Sequence, residues 1–333
     1  MGVKLTPLVV KEIVELKDLR GKSFAVDASN TLYQFLTLIR MRDGTPLSDS
    51  SGRITSHLVG LLYRTTRMIA DFHLNLTFVF DGKPPPLKDR EIERRRDERD
   101  KAMIEWRHAL AEKDYGKAFS KAVISTRLES YMIEESKYLL ELLGIPYVQA
   151  PSEGEAQSAL MAKKGVVWAV SSMDYDSLLF GAPRQVRYLT ISGRLRNLPT
   201  PSKPEIIELE RVLRHLSITR EQLIDLAILI GTDYNPKVKG IGPKTALKLL
   251  KKYQRLEDIP GDLPENFQAV RELFLNPKVK KDYSIVSKEM NEKKLFEFLC
   301  EKKGFDVNRV NHVIERMRRV QKRELQKDLF EWF

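Results

Sequence analysis

The sequence has little cysteine, little histidine and no long apolar run, and each shortage excludes a class of site or location. Among its 333 residues there is a single cysteine, Cys300, so neither an internal disulfide nor a cysteine-based zinc site can form. A lone cysteine is typical of proteins from a reducing interior. The five histidines are scattered without H-x-x-x-H spacing, and we interpret them as ordinary helix and surface residues. Because a signal-peptide pattern is also missing, we expect an intracellular protein with no membrane partner.

Positive charge is in surplus. The chain has 57 Lys and Arg against 46 Asp and Glu, which gives a formal net charge of +11. A surplus of this size favours a polyanionic partner, nucleic acid first, although a merely soluble surface would also explain it. The length is compatible with one large domain or two smaller ones.

The first half of the chain alternates short apolar runs with helical patterns. Strands are predicted at 22–26, 76–80, 146–149, 166–171 and 186–191, and helices at 54–70, 125–143 and 153–164. From about residue 205 onward the pattern is helical throughout. Such alternation predicts the α/β class, with a mostly parallel central sheet flanked by helices on both faces.

The segment 88–107 is highly charged and has little apolar stripe. A helix of this composition is expected to bury no face well. It is either a solvated helix held by pairs such as Glu91 with Arg95, or a basic arm that contacts phosphates. We expect it to connect to the next helix near residues 114–117.

Four aspartates directly follow predicted strands. Asp27 follows the first strand, Asp81 follows the second, and Asp174 and Asp176 follow the strand at 166–171. Because ligands bind beyond the carboxyl ends of parallel strands, we expect these carboxylates at one edge of the sheet. One such aspartate could merely start a turn. Several together repel one another unless a cation lies among them.

Two glutamates, Glu153 and Glu155, lie at the start of the helix predicted at 153–164. Ser152 and Glu155 have the S-x-x-E spacing of a capping box, which would explain Glu155 but not Glu153. Acidic residues also stabilise a helix N-terminus electrostatically. A purely structural role therefore stays open for both glutamates.

The candidate ligands offer only oxygen atoms, which favours hard ions. We expect Mg²⁺, with Mn²⁺ as a substitute, rather than Zn²⁺. Several carboxylates together suggest two ions about 3.5–4 Å apart, an arrangement suited to in-line attack on a phosphodiester. Together with the basic charge, this predicts a metal-dependent nuclease.

The segment 240–246, GIGPKTA, lies between a helix predicted at 221–230 and another that begins near 243. A dinucleotide-binding motif would need a preceding strand and a third glycine, and both are missing. Helix, glycine turn and helix instead predict a helix–hairpin–helix type element over about 221–253. Its backbone N–H groups can contact phosphates in any DNA sequence. The alternative is a tight helical turn that binds nothing.

Five segments, in order and separation, resemble the flap endonuclease family over almost the whole chain. They are VDASNTLYQFL (26–36), VFDGKPP (79–85), APSEGEAQ (150–157), MDYDSLLFG (173–181) and GTDYNPKVKGIGPKTA (231–246). The archaeal members are the most similar. The resemblance implies a structure-specific 5′ nuclease of the XPG superfamily, which cuts 5′ flaps and acts as a 5′–3′ exonuclease at nicks and gaps. It implies roles in DNA replication, at Okazaki fragments, and in long-patch base excision repair.

The resemblance also implies roles for individual residues. The catalytic metal ligands would be Asp27, Asp81, Glu153, Glu155, Asp174, Asp176 and Asp233, of which Asp233 is recruited by the family alone. Lys88 and Arg95 would be catalytic basic residues on a helical arch. DNA contacts would come from Tyr33, Arg40, Arg64, Lys88, Arg95, Glu153, Gly231, Asp233, Gly240, Gly242, Lys244 and Thr245. A K⁺ ion is implied at the glycine hairpin, beside two Mg²⁺ ions at the acids.

Domain boundaries follow from the same resemblance. It implies an N-terminal nuclease region at 1–98, a helical arch at 88–130, an internal nuclease region at 116–258, a C-terminal helical region at 259–324 and a sliding-clamp box at 325–333. The box, with Gln326, Leu329, Trp332 and Phe333, is similar to Q-x-x-L-x-x-aromatic-aromatic and implies binding to the sliding clamp, proliferating cell nuclear antigen. Alternatively, the terminal helix packs on the protein itself. We expect a monomer in the cytoplasm or nucleoid of an archaeon.

Two other functions stay open. The chain could be a related 5′ nuclease, such as a nick exonuclease or a Holliday junction resolvase, although these usually have long C-terminal extensions or altered arch segments. It could also be a non-catalytic DNA-binding scaffold. The intact set of acids argues against a scaffold, because burying carboxylates without a cation is costly.

Overall fold

A mixed β-sheet forms the centre of the protein. The computed structural model describes residues 2–41, 43–193 and 202–330, with the backbone alone for 323–330. Within this part the strands are β1 (Glu12–Ile13), β2 (Ser23–Asp27), β3 (Asn75–Phe80), β4 (Tyr147–Gln149), β5 (Ala169–Ser171), β6 (Arg184–Arg187) and β7 (Glu205–Glu208). Their order is β1-β7-β6-β5-β2-β3-β4. The strands from β2 to β6 are parallel, and β7 and β1 add antiparallel pairs at one edge.

Helices surround the sheet. In chain order they are α1 (Ala28–Leu38), α2 (Ser56–Gly60), α3 (Thr66–Phe72), α4 (Asp89–Ala111), α5 (Tyr115–Ile124), α6 (Ser130–Leu143), α7 (Gly154–Lys163), α8 (Asp176–Leu179), α9 (Leu209–Leu216), α10 (Arg220–Ile230), α11 (Pro243–Tyr253), α12 (Phe267–Leu275), α13 (Glu292–Phe296) and α14 (Val307–Phe330). A π-helical stretch, Leu61–Thr65, joins α2 to α3. Over the described ranges, no helix combines the length and apolar character needed to span a bilayer.

The sheet separates two hydrophobic cores. Side chains alternate between the two faces of a strand, so Ala25 and Val79 enter one core while Phe24 and Phe78 enter the other. The first core contains residues of α7 and α9 to α12, and the second contains residues of α1, α3, α6 and α14. The predicted class, a mostly parallel sheet with helices on both faces, is therefore confirmed.

The prediction of an all-helical chain from residue 205 is wrong. Strand β7 occupies Glu205–Glu208 and pairs antiparallel with β6. The strand is too short for its alternation to be distinguished from a helix start. The strand predicted at 186–191 is also displaced, since β6 spans Arg184–Arg187. Tyr188 follows with a left-handed φ of 60°, which ends the extended run.

Two further boundaries differ from the prediction. The helix predicted at 125–143 begins at Ser130, because Ser125 and Thr126 both donate side-chain hydrogen bonds to the Ala122 carbonyl and end α5. Its end is as predicted, at Gly144 with a φ of 73°. The strand predicted at 166–171 is shortened to Ala169–Ser171.

The charged segment forms the helix α4 and packs against α5. As expected, the helix buries no face well, since only two of its 23 residues are buried. Ala102 and Ala109 of α4 are buried, as are Ala118 and Ala122 of α5. Alanines allow two helices to approach closely without producing a visible apolar stripe. Asp114 caps α5 by accepting the Lys117 backbone N–H at 3.0 Å, so the connection predicted near 114–117 is a helix start. We call the pair α4–α5 the arch.

Part of the predicted clamp box cannot be compared with the structure. Trp332 and Phe333 lie outside the described residues, and Gln326 and Leu329 lie in the stretch of α14 described by its backbone alone. The choice between clamp binding and packing on the protein stays a prediction.

Candidate active site

The carboxyl ends of β2 and β3 each deliver an aspartate to the same edge of the sheet. Asp27 ends β2 and caps α1, where it accepts the Asn30 N–H at 2.9 Å. Asp81 follows β3 and accepts the Gly154 N–H at 2.6 Å, which ties it to the start of α7. Both carboxylates are therefore oriented by backbone donors.

The loop after β5 delivers two more aspartates. Asp174 accepts the Gly2 backbone N–H at 2.8 Å and the Asn30 side-chain amide at 3.1 Å. Asp176 is the first residue of α8 and accepts the Val3 N–H at 2.9 Å. The N-terminal segment thus contributes two backbone donors to the acids, and no sequence motif indicated this.

The capping-box explanation of Glu155 is wrong. The N-cap of α7 is Glu153, and it makes no side-chain capping hydrogen bond. Glu155 instead accepts the Ser172 hydroxyl at 3.0 Å, on the side of the acids. Glu153 accepts the Lys88 ammonium at 2.7 Å. Both glutamates therefore point into the site rather than capping α7. Lys88 and the Ser172 hydroxyl bind them in place of the backbone N–H groups of the helix.

Asp233 joins the acids from the loop after α10. It pairs with the Arg95 guanidinium at 2.5 Å and with the Lys88 ammonium at 3.6 Å. The turn depends on Gly231, whose φ is 91° and whose added Cβ would lie 2.9 Å from the Lys237 nitrogen. This gives Gly231 a structural role, and its predicted DNA contact stays a prediction.

Lys88 and Arg95 face the acids from the base of the arch. Lys88 ends a 3₁₀ turn, Pro86–Lys88, and Arg95 lies seven residues further along, on the same face of α4. Burial alone would lower the pKa of Lys88, but the charges of Glu153 and Asp233 outweigh it and raise that pKa. Both cations therefore stay charged.

Most of the carboxylates are at least partly buried, with Asp81 exposed, and several are close enough to repel one another. Burial, followed by the charges of Asp81 and Asp174, raises the pKa of Asp27 to about 8. Burial, followed by the charges of Asp233 and Asp174, raises the pKa of Asp176 to about 7. The pKa of Glu155 and that of Glu153 are also raised, with burial the largest cause. A cluster of this kind is unfavourable until a cation or a proton neutralises it.

The donor chemistry of this cluster fits hard divalent ions. Across the described ranges, no set of three or more His, Cys, Asp or Glu side chains is arranged to hold an ion as it stands. The acids are instead engaged by Lys88, Arg95, the Ser172 hydroxyl and backbone N–H groups. All seven candidate ligands nevertheless offer carboxylate oxygens, which Mg²⁺ and Mn²⁺ prefer.

Stability without metal should fall as the pH rises. The pKa values of Asp27 and Asp176 are about 8 and about 7 in the folded chain, against about 3.9 for an unfolded aspartate. Between about pH 4 and pH 8 the folded chain therefore holds protons that the unfolded chain has lost. The free energy of unfolding should therefore decrease through this window.

Thermal denaturation with EDTA at about pH 5.5 and pH 8.5 tests this. We expect a lower Tm at the higher pH, with most of the loss reversed by Mg²⁺. The Asp27→Asn variant is the matched control, because it removes one of the titrating groups and should flatten the dependence. A wild-type slope equal to that of the variant would contradict the expectation.

The arginines predicted to bind DNA are engaged within the protein. Arg40 donates to the carbonyls of Leu36 and Gly44 and to the Thr126 hydroxyl. Arg64 donates to the carbonyls of Thr190 and Ser192 at 3.1 and 3.3 Å. Both arginines bind loop carbonyls of the protein itself, and their DNA contacts stay predictions.

Tyr33 lies on α1 at the side of a cavity beneath the arch. The cavity has a volume of about 550 Å³. It is also lined by Arg95, Arg99, Lys121 and Ile124. Glu98 and Glu105 also line it, and Glu105 pairs with Lys121, but the cations outnumber these acids. A lining with surplus positive charge and apolar patches suits a nucleic acid strand, with phosphates near the cations and bases against Tyr33.

The glycine hairpin connects α10 to α11 as predicted. Gly240 has a left-handed φ of 80°, and Gly242 is the N-cap of α11. A Cβ added at Gly242 would meet nothing within 4 Å. Lys244 and Thr245 are exposed in the first turn of α11. The hairpin thus presents open backbone at a helix N-terminus.

Ser172 is a site residue that the sequence interpretation missed. Its hydroxyl lies 3.2 Å from Asp27 and 3.0 Å from Glu155, and it accepts the Asp174 N–H at 3.2 Å. It therefore links acids from three elements. Its position directly after a buried strand was the available signal, although serine is common in such turns.

Comparison with known proteins places this geometry among nucleases. The XPG N-terminal domain model matches residues 1–102, and the XPG I-region model matches residues 144–233. Flap endonuclease 1 of Pyrococcus abyssi is 49% identical over 100% of this chain and 98% of its own length. Flap endonuclease 1 of Methanothermobacter thermautotrophicus is 49% identical over 100% of both chains.

Solved structures agree. Flap endonuclease-1 from Methanococcus jannaschii covers 97% of this chain and 100% of its own, with a TM-score of 0.80 and 41% identity. The catalytic core of Rad2 in complex with a DNA substrate covers 95% of this chain and 100% of its own, with a TM-score of 0.70. At 23% identity, this second similarity shows a shared fold alone.

Proposed function

Because the chain belongs to the flap endonuclease 1 family of structure-specific nucleases, we propose that its seven clustered carboxylates hold two Mg²⁺ ions for phosphodiester hydrolysis. The observation that carries the proposal is one group of acids, most of them at least partly buried, faced by Lys88 and Arg95 at the base of the arch. Mn²⁺ is the expected substitute, since it prefers the same ligands. Cleavage of matched flap, nick, Holliday junction and single-stranded DNAs in Mg²⁺ tests the proposal.

We assign different roles in the reaction to three groups of side chains. Asp27, Asp81, Glu153, Glu155, Asp174, Asp176 and Asp233 would hold the ions. When bound, two such ions supply Lewis-acid stabilisation of the phosphate and lower the pKa of water. Lys88 and Arg95 would exchange Glu153 and Asp233 for the phosphate oxygens and offset the charge that develops there. Tyr33 would stack on a base next to the scissile phosphate.

The arch would admit the free 5′ end of a flap. Its underside carries Arg95, Arg99 and Lys121 around the cavity that Tyr33 also lines. Cations arranged along a channel guide a DNA backbone without reading its sequence. A nuclease of this design selects its substrate by shape, which suits 5′ flaps, nicks and gaps left during Okazaki fragment maturation and long-patch base excision repair.

The glycine hairpin would hold the duplex beside the site, and it would also bind a K⁺ ion. The residues expected to contact DNA are Gly231, Asp233, Gly240, Gly242, Lys244 and Thr245. Support comes from the exposed helix N-terminus and the open space above Gly242.

Substitution of Gly242 by alanine should weaken DNA binding without destabilising the fold. The φ of −106° suits any residue, and the added Cβ meets no protein atom, so the melting temperature should stay close to wild type. A phosphate in close contact would be displaced, at a cost of about tenfold in affinity. Fluorescence anisotropy with a flap substrate in Ca²⁺ measures this. Unchanged affinity would remove Gly242 from the interface.

The C-terminal box would recruit a sliding clamp, proliferating cell nuclear antigen, to a monomeric enzyme in the nucleoid or cytoplasm of an archaeon. The basis is the match of Gln326, Leu329, Trp332 and Phe333 to the clamp-binding pattern. Deletion of 326–333 should leave basal cleavage unchanged and remove stimulation by the clamp, because the apolar anchors are lost. Cleavage assays with and without clamp test this, and surviving stimulation would refute the box.

A further inference from the structure

Two side chains of β6 bind three consecutive carbonyls of the loop that carries Asp174 and Asp176. Gln185 donates from Nε2 to the Ser172 carbonyl at 3.1 Å and to the Asp174 carbonyl at 2.6 Å. Arg187 donates from Nε to the Met173 carbonyl at 3.1 Å. Every carbonyl from residue 172 to residue 174 is therefore bonded to β6. We call Gln185 and Arg187 the carbonyl clamp.

Strand geometry brings these donors to the loop. β6 lies parallel to β5, with Val170 opposite Gln185, so it continues beside the point where β5 ends. Gln185 and Arg187 are two residues apart and share one face, while Val186 enters the core on the other. Gln185 is 0% exposed and Arg187 is 9% exposed. Buried donors of this kind remain only where they are satisfied.

A second set of partners fixes the donors themselves. The Ser177 hydroxyl donates to Gln185 Oε1 at 2.9 Å, which orients the amide toward the loop. Arg187 donates from Nη1 to the Tyr175 hydroxyl at 2.7 Å and to Glu205 at 3.2 Å. Lys11 pairs with the same glutamate at 2.5 Å. The guanidinium is therefore held by Tyr175 of the loop and by Glu205 of β7.

The loop needs such a restraint because its acids repel their neighbours. The loop meets the acids of other elements, since the Ser172 hydroxyl contacts the carboxylates of Asp27 and Glu155 and also accepts the Asp174 N–H. An unrestrained loop would relax outward and separate the carboxylates. We propose that Gln185 and Arg187 are positioning residues, which hold the Ser172–Asp176 loop so that its carboxylates converge on the metal ions. This rests on the proposed role of Asp174 and Asp176 as metal ligands.

Two simpler explanations predict different results for substitutions at these residues. If Arg187 acts only by its charge, lysine should replace it. If both residues merely fill space in the fold, isosteric apolar residues should affect melting alone. The carbonyl clamp instead requires the specific donors, since neither Arg187→Lys nor Gln185→Met can bond the loop carbonyls in the same way. Arg184→Met is the matched control, because Arg184 lies on the same strand but pairs with Glu208.

The test measures metal binding directly as well as catalysis. Mn²⁺ binding to the full-length chain is followed by electron paramagnetic resonance, flap-DNA affinity is measured in Ca²⁺, and kcat is measured across Mg²⁺ concentrations. For Gln185→Met and Arg187→Lys we expect Mn²⁺ affinity and kcat each to fall by about 10- to 100-fold, the usual range for residues that orient metal ligands. The Mg²⁺ requirement should rise, with partial rescue at high Mg²⁺. DNA affinity should change by less than about twofold, and Arg184→Met should match wild type.

Wild-type Mn²⁺ affinity in both Gln185→Met and Arg187→Lys would overturn the inference. An equal loss of Mn²⁺ affinity in Arg184→Met would overturn it as well. The melting temperature is recorded for each variant, and if one does not fold, the other decides. Asp174→Ala separates this inference from the proposed function. If Asp174→Ala retains wild-type Mn²⁺ affinity, the ligand assignment is wrong. If it loses affinity while the clamp variants do not, the carbonyl clamp alone is refuted.

Discussion

Replacement of Asp174 by alanine should abolish flap cleavage and leave DNA binding intact. The carboxylate lies among the acids that would hold the ions, and its loss would remove several kcal/mol of metal-ion stabilisation, or about 10³-fold or more in kcat. Alanine removes repulsion of Asp27 and Asp176, but it also removes the acceptor of the Gly2 N–H, so a modest loss of stability is expected. Single-turnover cleavage of a labelled flap measures the loss, with affinity and melting recorded beside it.

The control for Asp174→Ala is an acid outside the cluster. Asp225 is also buried, but it pairs with Arg271 on α12. Asp225→Ala should lose stability, since it leaves a cation without its buried partner, yet keep its cleavage rate at temperatures where it is folded. Activity retained by Asp174→Ala would remove that residue from the site.

Replacement of Arg95 by methionine should lower kcat by about 10²- to 10³-fold, the effect of removing one preorganised donor to a developing charge. Metal binding should respond in the opposite direction. Arg95 pairs with Asp233 in this structure, so its removal frees a carboxylate and should maintain or strengthen Mn²⁺ affinity. Kinetics and Mn²⁺ titration of one preparation test both expectations.

Arg94 provides a matched control on the same helix. Its side chain is 51% exposed, against 18% for Arg95, and it pairs only with acids of α4 itself, Glu91 and Glu98, among the contacts described. Arg94→Met should retain wild-type kcat, because exposed pairs of this kind contribute little. An equal loss of rate in both variants would show a general electrostatic effect of the arch rather than a contact with the reacting phosphate.

The sequence predicted the part of the site that depends on strand ends. Asp27, Asp81, Asp174 and Asp176 follow strands of one parallel sheet, and that topology alone brings them to one edge. The seven-residue spacing of Lys88 and Arg95 likewise predicts one face of a helix. These inferences needed only regular geometry.

Other features depend on contacts between distant segments. Asp233 lies on a loop after α10, and nothing local distinguishes it from a turn residue. Glu155 has the spacing of a capping box, but the distant Ser172 hydroxyl engages it instead. The arch packs through alanines, which hydrophobic patterning overlooks. The carbonyl clamp could not be predicted for the same reason, since Gln185 and Arg187 bind backbone carbonyls of the loop that follows β5.

Cleavage of a matched set of labelled DNAs in Mg²⁺ tests the proposed activity most directly. The set contains a 5′ flap, a nick, a Holliday junction and a single strand of the same sequence. We expect the flap to be cut near its junction at the highest rate, with slower exonuclease products from the nick and no cutting in EDTA. Preferred resolution of the Holliday junction, or no cleavage of the flap with any divalent metal, would contradict a metal-dependent flap endonuclease.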